Sequence, residues 1–175
     1  MDYQLTLPTI LRRAENLFGK KEIVSCLPGK SIHRYTYHDF AIRVKKLAVA
    51  LGRLGINKGD RVATLCWNHY QHLEAYYAVP CMGAVVHPLN LRFSPDELSY
   101  IVNHAEDKII IVDQVLLPLF EKFRSGVNFL AVIVIQQTGE PLPGGYLNYE
   151  NIVADGNESL FEPFEEDEYS AAGRG

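Results

Sequence analysis

The chain has 175 residues, of which 47% are hydrophobic and 22% charged, a composition typical of one globular domain with its own core. Its formal net charge of −4 at pH 7 argues against a nucleic-acid partner, because nucleic-acid-binding modules usually carry a concentrated basic surface. No apolar run reaches the about 18 residues that indicate a membrane span, so the sequence predicts no transmembrane segment.

The three cysteines, Cys26, Cys66 and Cys81, are widely spaced and include no CxxC pair. Each is adjacent to apolar residues, so we expect all three to be small buried side chains rather than nucleophiles or metal ligands. The first ten residues lack the basic-then-apolar layout of a signal peptide. Together these features predict a cytoplasmic protein.

The first segment, residues 1–56, is predicted to form a helix, a hairpin and a second helix. The first helix is expected from Pro8 to Phe18. Apolar runs at 22–27 and 31–36 flank Pro28-Gly29-Lys30, which is typical of a hairpin around a tight turn. A second helix follows, because apolar side chains fall at the spacing of one helical face and basic side chains take the other. The apolar residues of this helix are Phe40, Val44, Leu47, Ala48 and Leu51, and the basic ones are Arg43, Lys45, Lys46 and Arg53.

The middle segment, residues 57–136, alternates short apolar runs with predicted helices. Asn68 is expected to cap a helix that runs towards Met82. A second helix start is indicated by Ser94-Pro95-Asp96-Glu97, which combines an N-cap serine, a proline at the first helical position and a glutamate three residues after the cap. Apolar runs separated by helices predict an α/β fold with a doubly wound, mainly parallel sheet covered on both faces. The predicted strands are residues 62–66, 84–87, 109–112 and 129–135.

The last segment, residues 137–175, is predicted to be a loop followed by an acidic tail. The loop is rich in glycine and proline as far as Gly145. Five acidic residues and no basic residue lie between Glu162 and Glu168. We expect this stretch to be a linker whose next structural element lies beyond the 175 residues.

Candidate binding residues follow the predicted strands, because ligands of open parallel sheets bind beyond the carboxyl ends of the strands. Asn90 and Arg92 offer an amide and a guanidinium to a carboxylate or phosphate, and Trp67 and His69 are expected to form a pocket wall. The alternative for each residue is structural: a turn or cap for the asparagines, core packing for Trp67 and a helix-end contact for Arg92. The full candidate set is Trp67, Asn68, His69, His87, Asn90 and Arg92.

Neither a catalytic residue nor a metal site is predicted. His69 and His72 lie three residues apart on a predicted helix, but zinc requires three or four ligands and no further ligand has compatible spacing. The sequence has no G-x-G-x-x-G motif after the first strand and no Walker-type phosphate loop. The residues taken alone therefore indicate a fold class without a catalyst.

Several motifs nevertheless occur together along nearly the whole chain. They are Tyr35-Thr36-Tyr37 and the stretches 54–63, 68–69, 73–78, 82–85, 89–98, 101–107 and 112–113. The set resembles the N-terminal part of an AMP-forming acyl-CoA synthetase, one of the adenylate-forming enzymes. Asn68-His69-Tyr70 and residues 103–107 are most similar to medium- and long-chain fatty acyl-CoA synthetases.

The resemblance implies a two-step ligase and the N-terminal part of its AMP-binding domain. In that family ATP and a carboxylate give an acyl-adenylate and pyrophosphate, and the thiol of coenzyme A then displaces AMP, with Mg²⁺ as the usual cation. The family's phosphate loop, adenylation lysine and C-terminal domain have no counterpart in the 175 residues. We therefore expect the chain to be inactive alone and to bind ATP, coenzyme A and Mg²⁺ without high affinity.

Two functional hypotheses remain open at this point. The first is an N-terminal fragment of a fatty acid–CoA ligase, either a truncated gene product or a deliberately shortened chain. The second is a non-catalytic module that dimerises through its N-terminal region or docks on a full-length synthetase. The second follows because a doubly wound sheet cut before its remaining elements leaves an edge strand and apolar faces open.

Overall fold

A computed structural model describes residues 5–27 and 30–164. The turn residues Pro28 and Gly29 and most of the acidic stretch, residues 165–168, lie outside the described residues. Within the described ranges, no helix is long and apolar enough to cross a membrane. The helices are α1 (Leu7–Phe18), α2 (Tyr37–Arg53), α3 (Tyr70–Cys81), α4 (Pro95–Ala105), α5 (Leu117–Phe120) and α6 (Tyr149–Asp155). The strands are β1 (Glu22–Cys26), β2 (Ile32–Thr36), β3 (Arg61–Leu65), β4 (Val85–Pro88), β5 (Asp107–Asp113), β6 (Ala131–Ile135) and β7 (Leu147–Asn148).

Strands β1 and β2 form the predicted hairpin, an antiparallel pair in which Glu22 lies opposite Thr36. Thr36 also caps α2: its Oγ1 accepts a hydrogen bond from the Asp39 N–H at 3.1 Å, and Asp39 Oδ2 accepts one from the Thr36 N–H at 3.0 Å. This reciprocal capping satisfies backbone donors that a helix start otherwise leaves unpaired. It begins α2 at Tyr37, ahead of the apolar spacing that starts at Phe40.

The central sheet has five parallel strands in the order β4-β3-β5-β6-β7. Alternate side chains of each strand enter two different cores. In β5, Ile109 and Ile111 pack with residues of α1, α2, α3 and α6, whereas Ile110 and Val112 pack with residues of α4 and α5. The predicted doubly wound, mainly parallel α/β fold is thus confirmed.

The predicted N-cap residue is confirmed for α4 but not for α3. At α4, Ser94 Oγ accepts from the Glu97 N–H at 3.3 Å and Glu97 Oε2 accepts from the Ser94 N–H at 2.8 Å, as predicted. At α3 the predicted Asn68 cap is wrong, because His69 is the N-cap residue. His69 has the extended backbone of an N-cap, with φ −153°, and its Nδ1 accepts from the His72 N–H at 3.4 Å.

The loop predicted from residue 137 onward is interrupted by β7 and α6. Strand β7 pairs with β6, with Leu147 opposite Ile133, and α6 buries Tyr149 and Val153 in the core that contains α2. Helix α5 is also missing from the sequence predictions. These elements have two, seven and four residues, too few for hydrophobic periodicity to reveal them.

The cysteine predictions hold for two of three positions. Cys66 and Cys81 are buried, but the prediction for Cys26 is wrong because that residue is exposed. Cys26 lies on the outer face of the two-stranded hairpin, together with exposed Val24. Only the inner face of this hairpin packs on the core, so every second residue of β1 meets solvent.

Candidate functional site

The carboxyl ends of β3 and β5 form a topological switch point of the sheet. From β3 the chain crosses to β4 on one side and then returns to β5 on the other side of β3. In open α/β sheets, ligands bind in the crevice outside the carboxyl ends of the strands at such a point. Leu65 pairs with Val112, so the residues that follow these two meet at the crevice.

Asp113, at the end of β5, joins the two strand ends. Its Oδ2 accepts a hydrogen bond from the backbone N–H of Trp67 at 2.8 Å, and its Oδ1 lies 2.8 Å from His69 Nε2. The side chains of Asp113 and His69 are both buried. Asp113 is not among the residues selected from the sequence. The signal that would find it is the strand register, which places the end of β5 beside the end of β3.

His69 and His72, at the start of α3, form hydrogen bonds with all four of their ring nitrogens. Because His69 Nδ1 accepts from the His72 N–H, His69 Nε2 carries the hydrogen and donates it to Asp113. His72 Nδ1 donates to the Trp67 carbonyl oxygen at 3.1 Å, and His72 Nε2 accepts from the Thr64 hydroxyl at 3.0 Å. Burial, followed by the neighbouring His69, lowers the pKa of His72. These imidazoles therefore hold the loop together rather than offering a general base.

Trp67 and Asn68 point outward from this fixed loop. Trp67 is 57% exposed, so the alternative that it packs in the core is wrong. Asn68 is exposed beside it. The backbone of Trp67 is held on both sides, since its N–H bonds Asp113 and its carbonyl bonds His72. An indole and an amide thus lie at the switch point on an anchored backbone.

Asn90 and Arg92 lie in the turn after β4, on the other side of β3. The Leu89 N–H donates to the Thr64 carbonyl at 2.8 Å and keeps this turn against β3. Asn90 Oδ1 accepts from the Arg92 N–H at 3.0 Å, which is an Asx turn. Both side chains are exposed, at the same edge of the sheet as Trp67.

His87 is not brought to this edge. Its Nδ1 lies 2.8 Å from Oδ2 of Asp107, a buried residue at the amino end of β5. The hydrogen bond to Asp107 raises the pKa of His87. His87 lies in β4, as in the predicted strand 84–87, but β4 continues to Pro88 and the His87 side chain, opposite Ala63 in the register, turns to Asp107 and not to the crevice.

Glutamines tie together the loops that follow β5 and β6. Gln114 Oε1 accepts from the N–H groups of Gln137 and Thr138, both at 3.0 Å. The side-chain amides of Gln114 and Gln136 donate to the Glu140 carbonyl at 3.0 and 2.8 Å. This side of the crevice is therefore fixed by side chain–backbone bonds.

Potential metal-binding side chains do not form a cluster in the described part of the chain. Within residues 5–27 and 30–164, no group of three or more His, Cys, Asp or Glu side chains is arranged to hold a metal ion.

The sequence itself decides the family. It matches the AMP-binding enzyme family over residues 11–165. The chain belongs to that family. This AMP-binding chain is 48% identical over 155 residues to a long-chain-fatty-acid–CoA ligase of Thermus thermophilus, and 31% identical over 168 residues to a medium-chain-fatty-acid–CoA ligase of Ectopseudomonas oleovorans. The two alignments cover 89% and 93% of the chain but only 28% and 31% of those relatives, so the AMP-binding chain spans less than a third of their length.

Solved structures share the fold of this AMP-binding chain. A long-chain-fatty-acid–CoA ligase from Archaeoglobus fulgidus superposes with a TM-score of 0.81 at 22% identity, covering 97% of the chain and 34% of that structure. An anthranilate–CoA ligase in complex with anthranoyl-AMP gives a TM-score of 0.78 at 22% identity, covering 92% of the chain and 30% of that structure. The described sheet therefore has the fold of part of an acyl-CoA ligase.

Proposed function

We propose that the chain is the N-terminal part of a fatty acid–CoA ligase. The observation that supports this is the 48% identity, over 89% of the chain, to a relative named a long-chain-fatty-acid–CoA ligase. The proposed reaction joins a fatty acid to coenzyme A with consumption of ATP, through an acyl-adenylate, and releases AMP and pyrophosphate. Its substrates are fatty acid, ATP and coenzyme A, with Mg²⁺ as the cation. Three free cysteines support a cytoplasmic location.

The contribution of these residues is a binding wall rather than the reacting groups. Trp67, Asn68, Asn90 and Arg92 are exposed at the edge of the sheet where ligands of this fold class bind. His69 is buried and anchors the loop that carries Trp67. His87 links β4 to the amino end of β5 through Asp107, across the intervening strand β3.

The 175 residues are proposed to be inactive by themselves. Charge that develops on the α-phosphate during adenylation must be stabilised by positioned cations and hydrogen-bond donors, and this stabilisation usually contributes most to the rate of such reactions. No phosphate loop lies within the 175 residues. We expect pyrophosphate release with ATP, Mg²⁺ and octanoate or palmitate to equal the protein-free blank, and turnover above that blank would contradict the proposal.

A chimera tests the ligase assignment directly. The corresponding N-terminal segment of the Thermus thermophilus ligase is replaced by this chain, and acyl-CoA formation is measured. If the assignment is right, the chimera forms acyl-CoA, because the shared sheet supplies the same binding wall. A folded chimera that forms no acyl-CoA, beside an active parent enzyme, would contradict it.

A homodimer through the N-terminal region is the second candidate function. Val24 and Ile32, both about half exposed, lie on the outer face of the β1–β2 hairpin. Exposed apolar residues on a two-stranded sheet favour association. Sedimentation at several concentrations tests this, with Val24→Thr as the matched variant. A monomer at every concentration would count against the dimer.

A further inference from the structure

We propose that the outer face of α1, with the turn that follows it, docks on an anionic lipid surface. This α1 face consists of Ile10, Arg13, Leu17, Phe18, Lys20 and Lys21. The inference does not rest on the proposed ligase function, since it concerns where the chain is held and not what it catalyses. It uses neither the binding wall at the crevice nor the outer face of the hairpin.

The apolar side chains of the α1 face lie close together and meet solvent. Ile10 and Leu17 are seven residues apart, which places them on the same side of the helix, away from the side that α1 buries. Leu17 is 62% exposed and Phe18 is 44% exposed. Both line one open depression together with Lys20 and Lys21. Exposed apolar side chains beside basic ones are typical of helices that lie in the headgroup region of a bilayer.

The basic side chains of the α1 face are not neutralised by the protein. Residues 5–21 contain four basic residues and one acidic residue. Within the described part of the chain, no acidic side chain pairs with Arg13, Lys20 or Lys21, which are all exposed. The one acid, Glu15, is bound at 2.7 Å by Lys45 of α2. Six bases elsewhere do pair with carboxylates: Arg34, Arg43, Lys45, Lys46, Arg61 and Lys108.

Backbone hydrogen bonds hold the turn that carries the two lysines. The Lys21 N–H donates to the Phe18 carbonyl at 2.8 Å, and the Lys21 carbonyl accepts from the Tyr37 N–H at 2.9 Å. The Gly19 carbonyl accepts from the His38 N–H at 3.1 Å, so the turn is fixed to the start of α2. The lysines are therefore presented at a defined place beside the apolar side chains. A surface that is ordered before contact binds without the entropic cost of ordering it.

Charge and apolar exposure together favour an anionic bilayer over the other occupants of the α1 face. The whole chain has a net charge of −4, so a local basic face orients it on an anionic surface that its acidic regions avoid. A second copy docked through the same face would bring like charges together. An acidic polypeptide would match the charges but not the exposed aliphatic side chains. The remainder of the proposed ligase is the last alternative cover, and a chimera tests it.

The experiment measures flotation of the whole 175-residue chain with lipid vesicles. The vesicles contain phosphatidylcholine with about one third phosphatidylglycerol, and pure phosphatidylcholine is the uncharged control. We expect flotation with the anionic vesicles at low salt, less flotation at high salt, and little with the control. No flotation with anionic vesicles at low salt would overturn the proposal. Binding to soluble polyglutamate as tight as binding to the vesicles would overturn the assignment to lipid.

Matched variants locate the contact on the chain. The pair Lys20→Gln with Lys21→Gln is expected to weaken vesicle binding about twentyfold or more, since each base near an anionic surface contributes about fivefold. Leu17→Ser is expected to weaken it about tenfold through lost apolar burial. The controls are Lys122→Gln and Leu130→Ser, which change an exposed base and an exposed leucine outside the α1 face and should bind like the parent.

Far-UV circular dichroism identifies a variant that does not fold, in which case the folded ones decide. Parent-like binding by the folded α1 variants, or equal losses in the controls, would overturn the role of the α1 face. A single tryptophan placed on α1 gives an independent readout: Leu17→Trp combined with Trp67→Phe removes the chain's only other tryptophan. Its emission is expected to shift to shorter wavelength on anionic vesicles and to be quenched by brominated lipid. Unchanged emission on vesicles that bind the chain would mean that another face makes the contact.

The chimera with the Thermus thermophilus ligase tests the α1 face in a full-length protein. It is expected to float with anionic vesicles and to lose most of this binding when Lys20 and Lys21 are changed to glutamine. If the 175-residue chain floats but the chimera does not, the remainder of the ligase covers the α1 face and the inference fails. Acyl-CoA formation by the same chimera tests the ligase assignment separately, so either proposal can fail while the other stands.

Discussion

Arg43 on α2 donates two hydrogen bonds to the fully buried carboxylate of Glu74 on α3, from Nε at 2.7 Å and from a terminal nitrogen at 3.1 Å. The same guanidinium binds Glu150 on α6 at 2.9 and 3.0 Å. The Tyr149 hydroxyl donates to Glu74 Oε2 at 2.8 Å. One cation thus ties together three helices that lie far apart in the sequence.

Replacing Arg43 by methionine is expected to destabilise the chain by about 3 kcal/mol or more, because the Glu74 carboxylate is left buried without its cation. The free energy of unfolding is measured by urea titration with far-UV circular dichroism. The double variant Arg43→Met with Glu74→Leu is expected to recover part of this loss, since no uncompensated charge remains. A single variant as stable as the parent would refute the role given to Arg43.

The control for that prediction is the ion pair of Arg34 with Glu22, at 3.1 Å on the hairpin surface. Both side chains are more than half exposed, so solvent screens the pair. Arg34→Met is expected to cost less than about 1 kcal/mol in the same assay. If Arg43→Met and Arg34→Met lost equal amounts of unfolding free energy, burial of the ion pair would not determine its contribution to stability.

The sequence predicts those parts of the fold whose signal is local. The strands read as short apolar runs because both faces of the sheet are covered, and the Ser94 capping box lies within four consecutive residues. The spacing of α2 places Arg43 on the face opposite the apolar residues, but this spacing describes only its own helix. The partners of Arg43, Glu74 and Glu150, are 31 and 107 residues away, so no local pattern indicates them.

In the candidate site, too, local sequence patterns predict some features, and contacts between distant residues determine the others. That Trp67, Asn90 and Arg92 lie at the carboxyl edge of the sheet follows from their positions after apolar runs. The role of Asp113 depends on the β3–β5 register, which no local pattern encodes. For His87, the following proline suggests the end of the strand and therefore a side chain at the crevice, but β4 includes that proline and His87 turns to Asp107. Edge strands tolerate proline, since the missing donor faces away from the partner strand.

The ion pair of His87 and Asp107 predicts a pH-dependent stability. Asp107 raises the pKa of His87, so the folded chain keeps the proton to a higher pH than the unfolded chain, whose value is near 6.5. The stabilisation is complete below that value and is lost as the pH rises through the folded pKa. His87→Gln is expected to cost of the order of 1 kcal/mol about one pH unit below 6.5 and clearly less about two units above it.

The measurement for His87 is the unfolding free energy of variant and parent over that pH range. The lowered pKa of His72 also makes stability depend on pH, with the opposite sign. Subtracting the unfolding free energies of parent and His87→Gln at each pH removes this contribution, because the substitution leaves His72 unchanged. Asp107→Asn is expected to abolish the same pH dependence. A difference between parent and His87→Gln that grows with rising pH would contradict the sign.

Gly156 is expected to tolerate no side chain. A Cβ at this position would overlap the carbonyl group and Cα of Lys46, at the point where the end of α6 crosses α2. Because the overlapped atoms of Lys46 are all backbone and cannot move aside as a side chain could, Gly156→Ala is expected to lower the free energy of unfolding in urea by about 1–3 kcal/mol. Gly139 is the matched control, since a Cβ there meets nothing within 4 Å, and Gly139→Ala is expected to stay within about 0.5 kcal/mol of the parent. Equal stability of the two variants would show that the contact between α6 and α2 is loose.

Thiol labelling is expected to distinguish the three cysteines in the folded chain. Cys26 is exposed on the hairpin, whereas Cys66 and Cys81 are buried. Burial raises the pKa of Cys66 well above its usual value and that of Cys81 to about 12, so neither forms the thiolate that reacts. Iodoacetamide at neutral pH should therefore add one label, found at Cys26 by peptide mass spectrometry, and Cys26→Ser should remove it. In urea all three cysteines should react. Rapid labelling of Cys66 in the folded chain would show that the end of β3 opens. The hydrogen bonds of Asp113 should prevent this opening in the parent, and Asp113→Asn should allow more of it.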